Sequence, residues 1–210
     1  MSYFCVLNFL LLITIRDIST FSSSEKTFVT IGTFDGVHYG HQKIIEKLVY
    51  DAKKAGKKSV LLTFFPHPRM VLQKDSNIEL INTIEEKKLL LQKTGLDYLI
   101  IHPFSKEFSR MTALEFVRDL LVNQLNISKL IIGYDHHFGK NREGNIVQLT
   151  EYSHLYDFTV EEIPAQDIND VSVSSTKIRR ALHAGKLKTA NNYLGYHFML
   201  NGNVVNGKQL

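Results

Sequence analysis

Residues 28–42 read FVTIGTFDGVHYGHQ. An apolar run that ends in glycine, Phe28 to Thr33, is the signature of a buried β-strand. Directly after it, Ile44, Ile45, Leu48, Val49 and Ala52 fall at helical spacing, and Gly56 sits where a helix would close. The stretch is therefore a strand, a glycine-containing turn and a helix start. The same alternation continues downstream. Strands are expected at Ser59–Phe65, Asp97–Ile101, Lys129–Ile132 and Phe158–Ile163. Between them Thr83 with Glu86, and Thr112 with Glu115, form capping boxes that open helices, the first ending at Gly95 and the second near Leu125. A short helix is expected near residues 146–154, and another over Ser175–His183. Apolar strands separated by helices imply βαβ units with right-handed crossovers. The expected fold is α/β and Rossmann-like, a five-stranded parallel sheet flanked by helices. Ligands of such sheets bind beyond the carboxyl ends of the strands.

The residues that follow the strands therefore matter most. His38 and His41 lie three apart, with Gly40 between them, where a loop becomes a helix. Gly40 lets the backbone approach a ligand closely. A helix N-terminus offers free N–H groups and partial positive charge, which suits phosphate. Two imidazoles there can donate to phosphate oxygens as charge builds in a transition state. The bland reading of H-x-x-H is a metal pair or chance. No third ligand lies nearby, and Asp35 would reach a metal only if the loop folded back. After the fifth strand come Ser174, Ser175 and Thr176, then Lys177, Arg179 and Arg180. A hydroxyl at a helix start is usually a cap. Three hydroxyls and a basic run exceed that need and give a second anion-binding N-terminus, with an arginine able to clamp phosphate.

Composition narrows the class. The chain has 210 residues, long enough for a real core without staples. Its 25 Lys and Arg against 21 Asp and Glu give a net charge of +4, with no basic block of the kind nucleic-acid partners need. Cys5 is the single cysteine, which excludes an intramolecular disulfide and a cysteine-cluster zinc site. It also favours a reducing compartment, so a cytoplasmic location is expected. The apolar residues 1–15 are shorter than a membrane helix and lack a basic flank or cleavage site. They are expected to form a leader that packs as an extra strand or stays unstructured, or an extension upstream of the true start. No membrane partner is expected, and the oligomeric state is left open.

The longer strings carry a resemblance. GTFDGVHYGHQ at 32–42, TFFPHP at 63–68, GYDHHFG at 133–139 and SSTKIRR at 174–180 occur in that order. Together they resemble the adenylyltransferase module of the bacterial bifunctional riboflavin kinase/FMN adenylyltransferases, or FAD synthetases. The resemblance implies transfer of AMP from ATP to FMN, giving FAD and pyrophosphate, with Mg²⁺ bridging the ATP phosphates. It implies His38, His41 and Arg179 as catalytic residues. Gly32, Phe34, Asp35, Gly40, Asp135, Ser174, Ser175 and Thr176 would serve ATP. Phe64, Phe65, Pro66, His67 and Pro68 would lie beside the flavin, although Phe64 and Phe65 read equally well as core at the end of a buried strand. No protein metal site is implied. ATP and FMN are the expected partners.

Other readings compete. Another nucleotidyltransferase, acting on pantetheine phosphate, nicotinamide mononucleotide or glycerol phosphate, shares H-x-G-H but not the PHP and GYDHHFG segments. A class I aminoacyl-tRNA synthetase would need a K-M-S-K-S-type loop. A non-catalytic flavin or nucleotide binder would not need both phosphate motifs. Residues 133–140 imitate a P-loop, but Phe138 stands where glycine is required and Asn141 replaces Ser/Thr. His136 and His137 are adjacent and point apart on an extended loop, a poor metal pair. His102, His154 and His183 belong to no constellation.

Three segments are expected: a leader over 1–14, the adenylyltransferase domain over 15–190, and the start of a kinase module over 191–210. Asn201-Gly202 and Asn206-Gly207 suggest β-hairpins there. The kinase signature, a G-x-x-x-G-F-P-T-A-N-like segment, is not reached within the 210 residues, so no riboflavin kinase activity is expected of them.

Overall fold

The computed structural model describes residues 11–73, 77–164, 173–205 and 207. Most of the leader, Asp170 to Ser172 beside the second phosphate motif, and the last residues of the expected hairpins lie outside them.

The sheet is wholly parallel. Its strands are β1 (Ile13–Ile15), β2 (Thr27–Ile31), β3 (Lys58–Phe65), β4 (Tyr98–Pro103), β5 (Ile127–Gly133) and β6 (Thr159–Ile163). Their order is β1-β4-β3-β2-β5-β6. The expected five strands are thus six. The addition is β1, three residues of the apolar leader that pair Ile13, Thr14 and Ile15 with Tyr98, Leu99 and Ile100 of β4. An edge strand this short is made by its neighbour rather than by its own pattern. The order reverses between β2 and β5, so the switch point lies beside the loop after β2.

The helices among the described residues are α1 (Tyr39–Lys54), α2 (Pro68–Leu72), α3 (Ile84–Gln92), α4 (Ala113–Gln124) and α5 (Ile146–Tyr156), which lie between strands, and α6 (Ser175–His183) and α7 (Leu187–Leu194), which follow β6. Both capping boxes form, at Thr83/Glu86 and Thr112/Glu115. Helix α4 makes one α-turn over Ala113–Glu115 and continues with π-type bonding over Phe116–Gln124.

Both sheet faces are covered, as a parallel sheet requires. Alternation along each strand divides the core. Val60, Leu62, Ile100, Leu130 and Ile132 pack to one side with α4 and α5 residues. Leu61, Leu99, Ile101 and Ile131 pack to the other against Ile44, Ile45 and Leu48 of α1. A third cluster joins Ile81 to Ile178 and Ala181 of α6, Ala190 and Leu194 of α7, and Tyr193, Tyr196 and Phe198. The expected boundary at 190/191 falls inside α7, and that at 14/15 inside β1. Residues 196–205 contain no strand. The hairpin expected at Asn201-Gly202 is not formed among the described residues, and that expected at Asn206-Gly207 lies largely outside them. This segment instead lays Tyr196 and Phe198 on the third cluster.

Candidate active site

The turn after β2 is tightly wound. Phe34, Gly36 and Val37 all have positive φ, at 46°, 84° and 37°. Non-glycine residues hold that conformation only when their surroundings enforce it, and here Phe34 and Val37 are both buried. A Cβ at Gly32 would lie 3.1 Å from the Phe34 ring, so glycine lets that ring fold back over the strand end. At Gly36 a Cβ would meet Ile81 at 2.9 Å.

His38 is the N-cap of α1, and its Nδ1 accepts the backbone N–H of His41 at 3.4 Å. That acceptor role puts the proton of the neutral ring on Nε2, which is then a donor. The two rings stack, with centroids 3.6 Å apart and planes 15° apart. Phe34 packs edge-on to His41 at 5.1 Å. Nδ1 of His41 is buried and has no hydrogen-bond partner among the described residues. Burial pushes His38 down to about 4. Burial, then the charges of His38 and Lys87, push His41 well below the usual histidine range. Both rings are neutral donors at physiological pH.

Asp35 ties this turn to the second motif. Its carboxylate accepts Arg179 Nη2 at 2.5 Å and the Ile81 backbone N–H at 3.0 Å. Its backbone carbonyl accepts the Ser175 hydroxyl at 2.9 Å. Arg179 Nε donates to the Glu79 carbonyl at 2.7 Å. Ser174 caps α6 through the Lys177 N–H. The two stretches, some 140 residues apart in the chain, are therefore one site. Thr176 is exposed at the start of α6. Gly40 is buried in the first turn of α1.

The flavin candidates divide by strand alternation. Phe64 turns inward to Phe104 and Phe108, with centroids 5.7 and 5.4 Å away. Phe65 is 45% exposed. Pro66 is exposed, while His67 and Pro68 are half-buried at the start of α2. His67 Nδ1 accepts the Arg69 N–H at 3.1 Å. Burial, offset by Asp35, pushes His67 down to about 4, with Arg179, Arg69 and Lys87 adding to the shift. The charges of Asp35 and Arg179 place His67 at the edge of the same site. Asp135 is exposed just past β5, and Phe138 is buried in the core rather than in a phosphate loop.

Several residues of the site carry no signal in the sequence. Lys87, on α3, donates to the Thr33 carbonyl at 2.7 Å. The Tyr196 hydroxyl lies 2.6 Å from the Gly36 carbonyl and 3.1 Å from Asn82 Oδ1. Gln42 Nε2 bridges the carbonyls of Val37 and Leu194, both at 2.8 Å. Only Gln42 sits in a recognised string. The others show themselves through folding alone.

The buried histidines make stability depend on pH. His38 and His136 are both depressed to about 4 by burial, and burial lowers His41 in the same direction. Below about pH 6.5 the unfolded chain binds protons that the folded chain refuses. Stability is therefore full above that pH and falls as pH drops toward about 4. From His38 alone the loss at pH 5 is about 2 kcal/mol. Urea unfolding at pH 7.5 and 5.0 measures it, and equal midpoints would show that the rings accept protons in the folded state.

The parallel sheet thus carries two helix N-termini joined at its carboxyl edge, one with stacked neutral histidines and the other with hydroxyls and arginine. The chain belongs to the FAD synthetase family, whose model matches residues 20–177. It is 37% identical over 188 residues to the bifunctional riboflavin kinase/FMN adenylyltransferase of Buchnera aphidicola from Schizaphis graminum, covering 89% of this chain and 60% of that protein. It is 33% identical to an FAD synthetase of Listeria monocytogenes, covering 88% of this chain and 75% of the relative. Among solved structures it is similar to one described as a macrolide-efflux protein from Streptococcus pneumoniae, with a TM-score of 0.80 and 27% identity over 90% of this chain and 72% of that one. The chain spans about three fifths of the length of the first of these relatives.

Proposed function

We propose that this chain is an FMN adenylyltransferase, which transfers AMP from ATP to the phosphate of FMN and releases pyrophosphate. The single observation that carries the reading is the union of the two motifs: stacked His38 and His41 at one helix start, joined through Asp35 to Ser175 and Arg179 at the other. In the reaction an FMN phosphate oxygen bonds to the α-phosphorus of ATP as the bond to the bridging oxygen of pyrophosphate breaks. A phosphate monoester has its second pKa near about 6 and is already ionised at neutral pH. No residue has to remove a proton, which fits a site whose histidines are held neutral. The work left is alignment and charge stabilisation. His38, through Nε2–H, and His41 would donate to phosphate oxygens and stabilise the departing pyrophosphate. Two hydrogen bonds fix Arg179 between the motifs, leaving other guanidinium N–H groups for the β- and γ-phosphates. Gly32, Phe34 and Gly40 shape the ATP pocket, Ser174, Ser175 and Thr176 line its phosphate end, and Asp135 serves the adenosine.

The half-exposed Phe65, with Pro66, His67 and Pro68, is the flavin side, and Phe64 supports it from the core. Among the described residues no group of three or more His, Cys, Asp or Glu could hold a metal. Mg²⁺ would arrive with the ATP phosphates, its usual mode. The adenylyltransferase domain is drawn over residues 15–190 with α7 and the following turn to Phe198 added, because their side chains complete the third cluster. No described helix is long and apolar enough to cross a membrane. A cytoplasmic location is proposed from the substrates and the single cysteine.

The test is incubation of the purified chain with FMN and α-labelled ATP. Labelled FAD and pyrophosphate should appear in equal amounts. Saturable FMN binding without either product would make the protein a binder instead.

A further inference from the structure

Lys87 has a role that the two phosphate motifs do not explain. It lies one turn into α3, behind the Thr83/Glu86 capping box, and is 6% exposed. Its ammonium group donates to the Thr33 carbonyl at 2.7 Å. That carbonyl already accepts the Thr63 hydroxyl at 3.1 Å, so it does not need a charged donor. An ammonium has three N–H groups, and Thr33 takes one. Among the described residues Lys87 has no ion pair. The favourable charge acting on it is that of Asp35, whose carboxylate is hydrogen-bonded to Arg179 and Ile81 instead. Burial pushes Lys87 down to about 8. The nearby histidines His38, His41 and His67 are neutral, and the buried Glu86 carboxylate is taken by the Thr83 N–H and Asn201, so the two cations Lys87 and Arg179 share the charge of Asp35. A buried charge without its own counter-ion is costly. It is retained where an anion arrives to complete it.

We propose that Lys87 is a further anion-binding residue of this site, its ammonium group supplying a cation to the phosphates of the bound nucleotide from the α3 side. Its place supports this. Thr33 lies just past the carboxyl end of β2, two residues before Asp35, and both His41 and His67 feel the Lys87 charge. The inference rests on the adenylyl-transfer reading for the identity of the nucleotide, but not for the anion site itself.

The experiment is calorimetric titration of the full chain and of Lys87→Gln and Lys87→Met with inorganic pyrophosphate, ATP and FMN. Gln keeps a donor for Thr33 and removes the charge. Met fills the space and removes both. Pyrophosphate and ATP affinity should fall about tenfold or more in each variant, FMN affinity should change less than about threefold, and the melting temperature should hold or rise. A Lys87→Gln protein that binds pyrophosphate like the parent overturns the inference. So does one that fails to fold, because a merely structural lysine requires that result. If Lys87→Met alone does not fold, the Gln variant decides. A parent that binds pyrophosphate but makes no FAD overturns the adenylyl-transfer reading, and the Lys87 comparison still stands or falls by itself.

Discussion

Replacing His41 with alanine should lower the rate of FAD formation by about 10²–10³-fold, the usual cost of one donor aimed at developing oxyanion charge. The size follows from the geometry. His41 sits in the first turn of α1, its ring stacked on His38 and edge-on to Phe34. Burial keeps it neutral, so its value lies in a fixed N–H rather than in a charge. Such a donor costs no reorganisation when the pyrophosphate leaves, and alanine has nothing to replace it. The loss should fall on kcat, with the KM for ATP changed little, because the interaction strengthens in the transition state. His38 still caps the helix through the backbone of residue 41, which alanine retains, so circular dichroism and the cooperativity of unfolding should be preserved. Turnover equal to that of the parent, in a folded variant, would remove His41 from the mechanism.

The chemistry of this site was legible in the sequence because it lies where strands give way to helices. The β2 string places His38 and His41 by itself, since a buried strand, a glycine turn and an apolar helical face leave those residues one location. Ser174 to Arg179 follow from the same logic after β6. What sequence could not supply is the contact between these stretches. Asp35 reads as a loop acid, and only the fold brings Arg179 onto it. Lys87 was hidden for a different reason. The segment Glu85-Glu86-Lys87-Lys88 looks like a solvated helix face, yet α3 packs so that Glu86 and Lys87 turn inward. A single sequence gives the helix but not its rotation among four consecutive charges. Strand β1 is too short to carry a period, and its existence depends on β4. The π-bonded part of α4 shares its apolar residues with an ordinary helix, so composition cannot distinguish the two. At α7, Ala190 and Leu194 are buried, a packing contact that the Asn-Gly signals downstream do not announce.

Asp35→Ala should be the most damaging single change to the folded site, costing about 3–5 kcal/mol of stability as well as activity. Asp35 is 2% exposed, and its carboxylate does three things at once. It accepts the Ile81 N–H, a buried donor that would be left unpaired. It also neutralises Arg179, whose side chain is only 15% exposed, and its charge favours Lys87. Removing it leaves two largely buried cations facing neutral histidines. The free energy of a buried pair is dominated by what remains when one partner is gone. For that reason Arg179→Ala, alone, should cost less than Asp35→Ala, and the double variant should be more stable than the sum of the single losses predicts. A double-mutant cycle by urea unfolding measures this coupling, expected at about 1–3 kcal/mol. Activity should divide differently. Arg179→Ala should raise the KM for ATP more than it weakens FMN binding, whereas Asp35→Ala should impair both steps, because it also frees the turn that carries His38 and His41. Strictly additive stability losses would mean that the Asp35–Arg179 bond does not hold the two phosphate motifs together, and the site would then need another tie between α1 and α6.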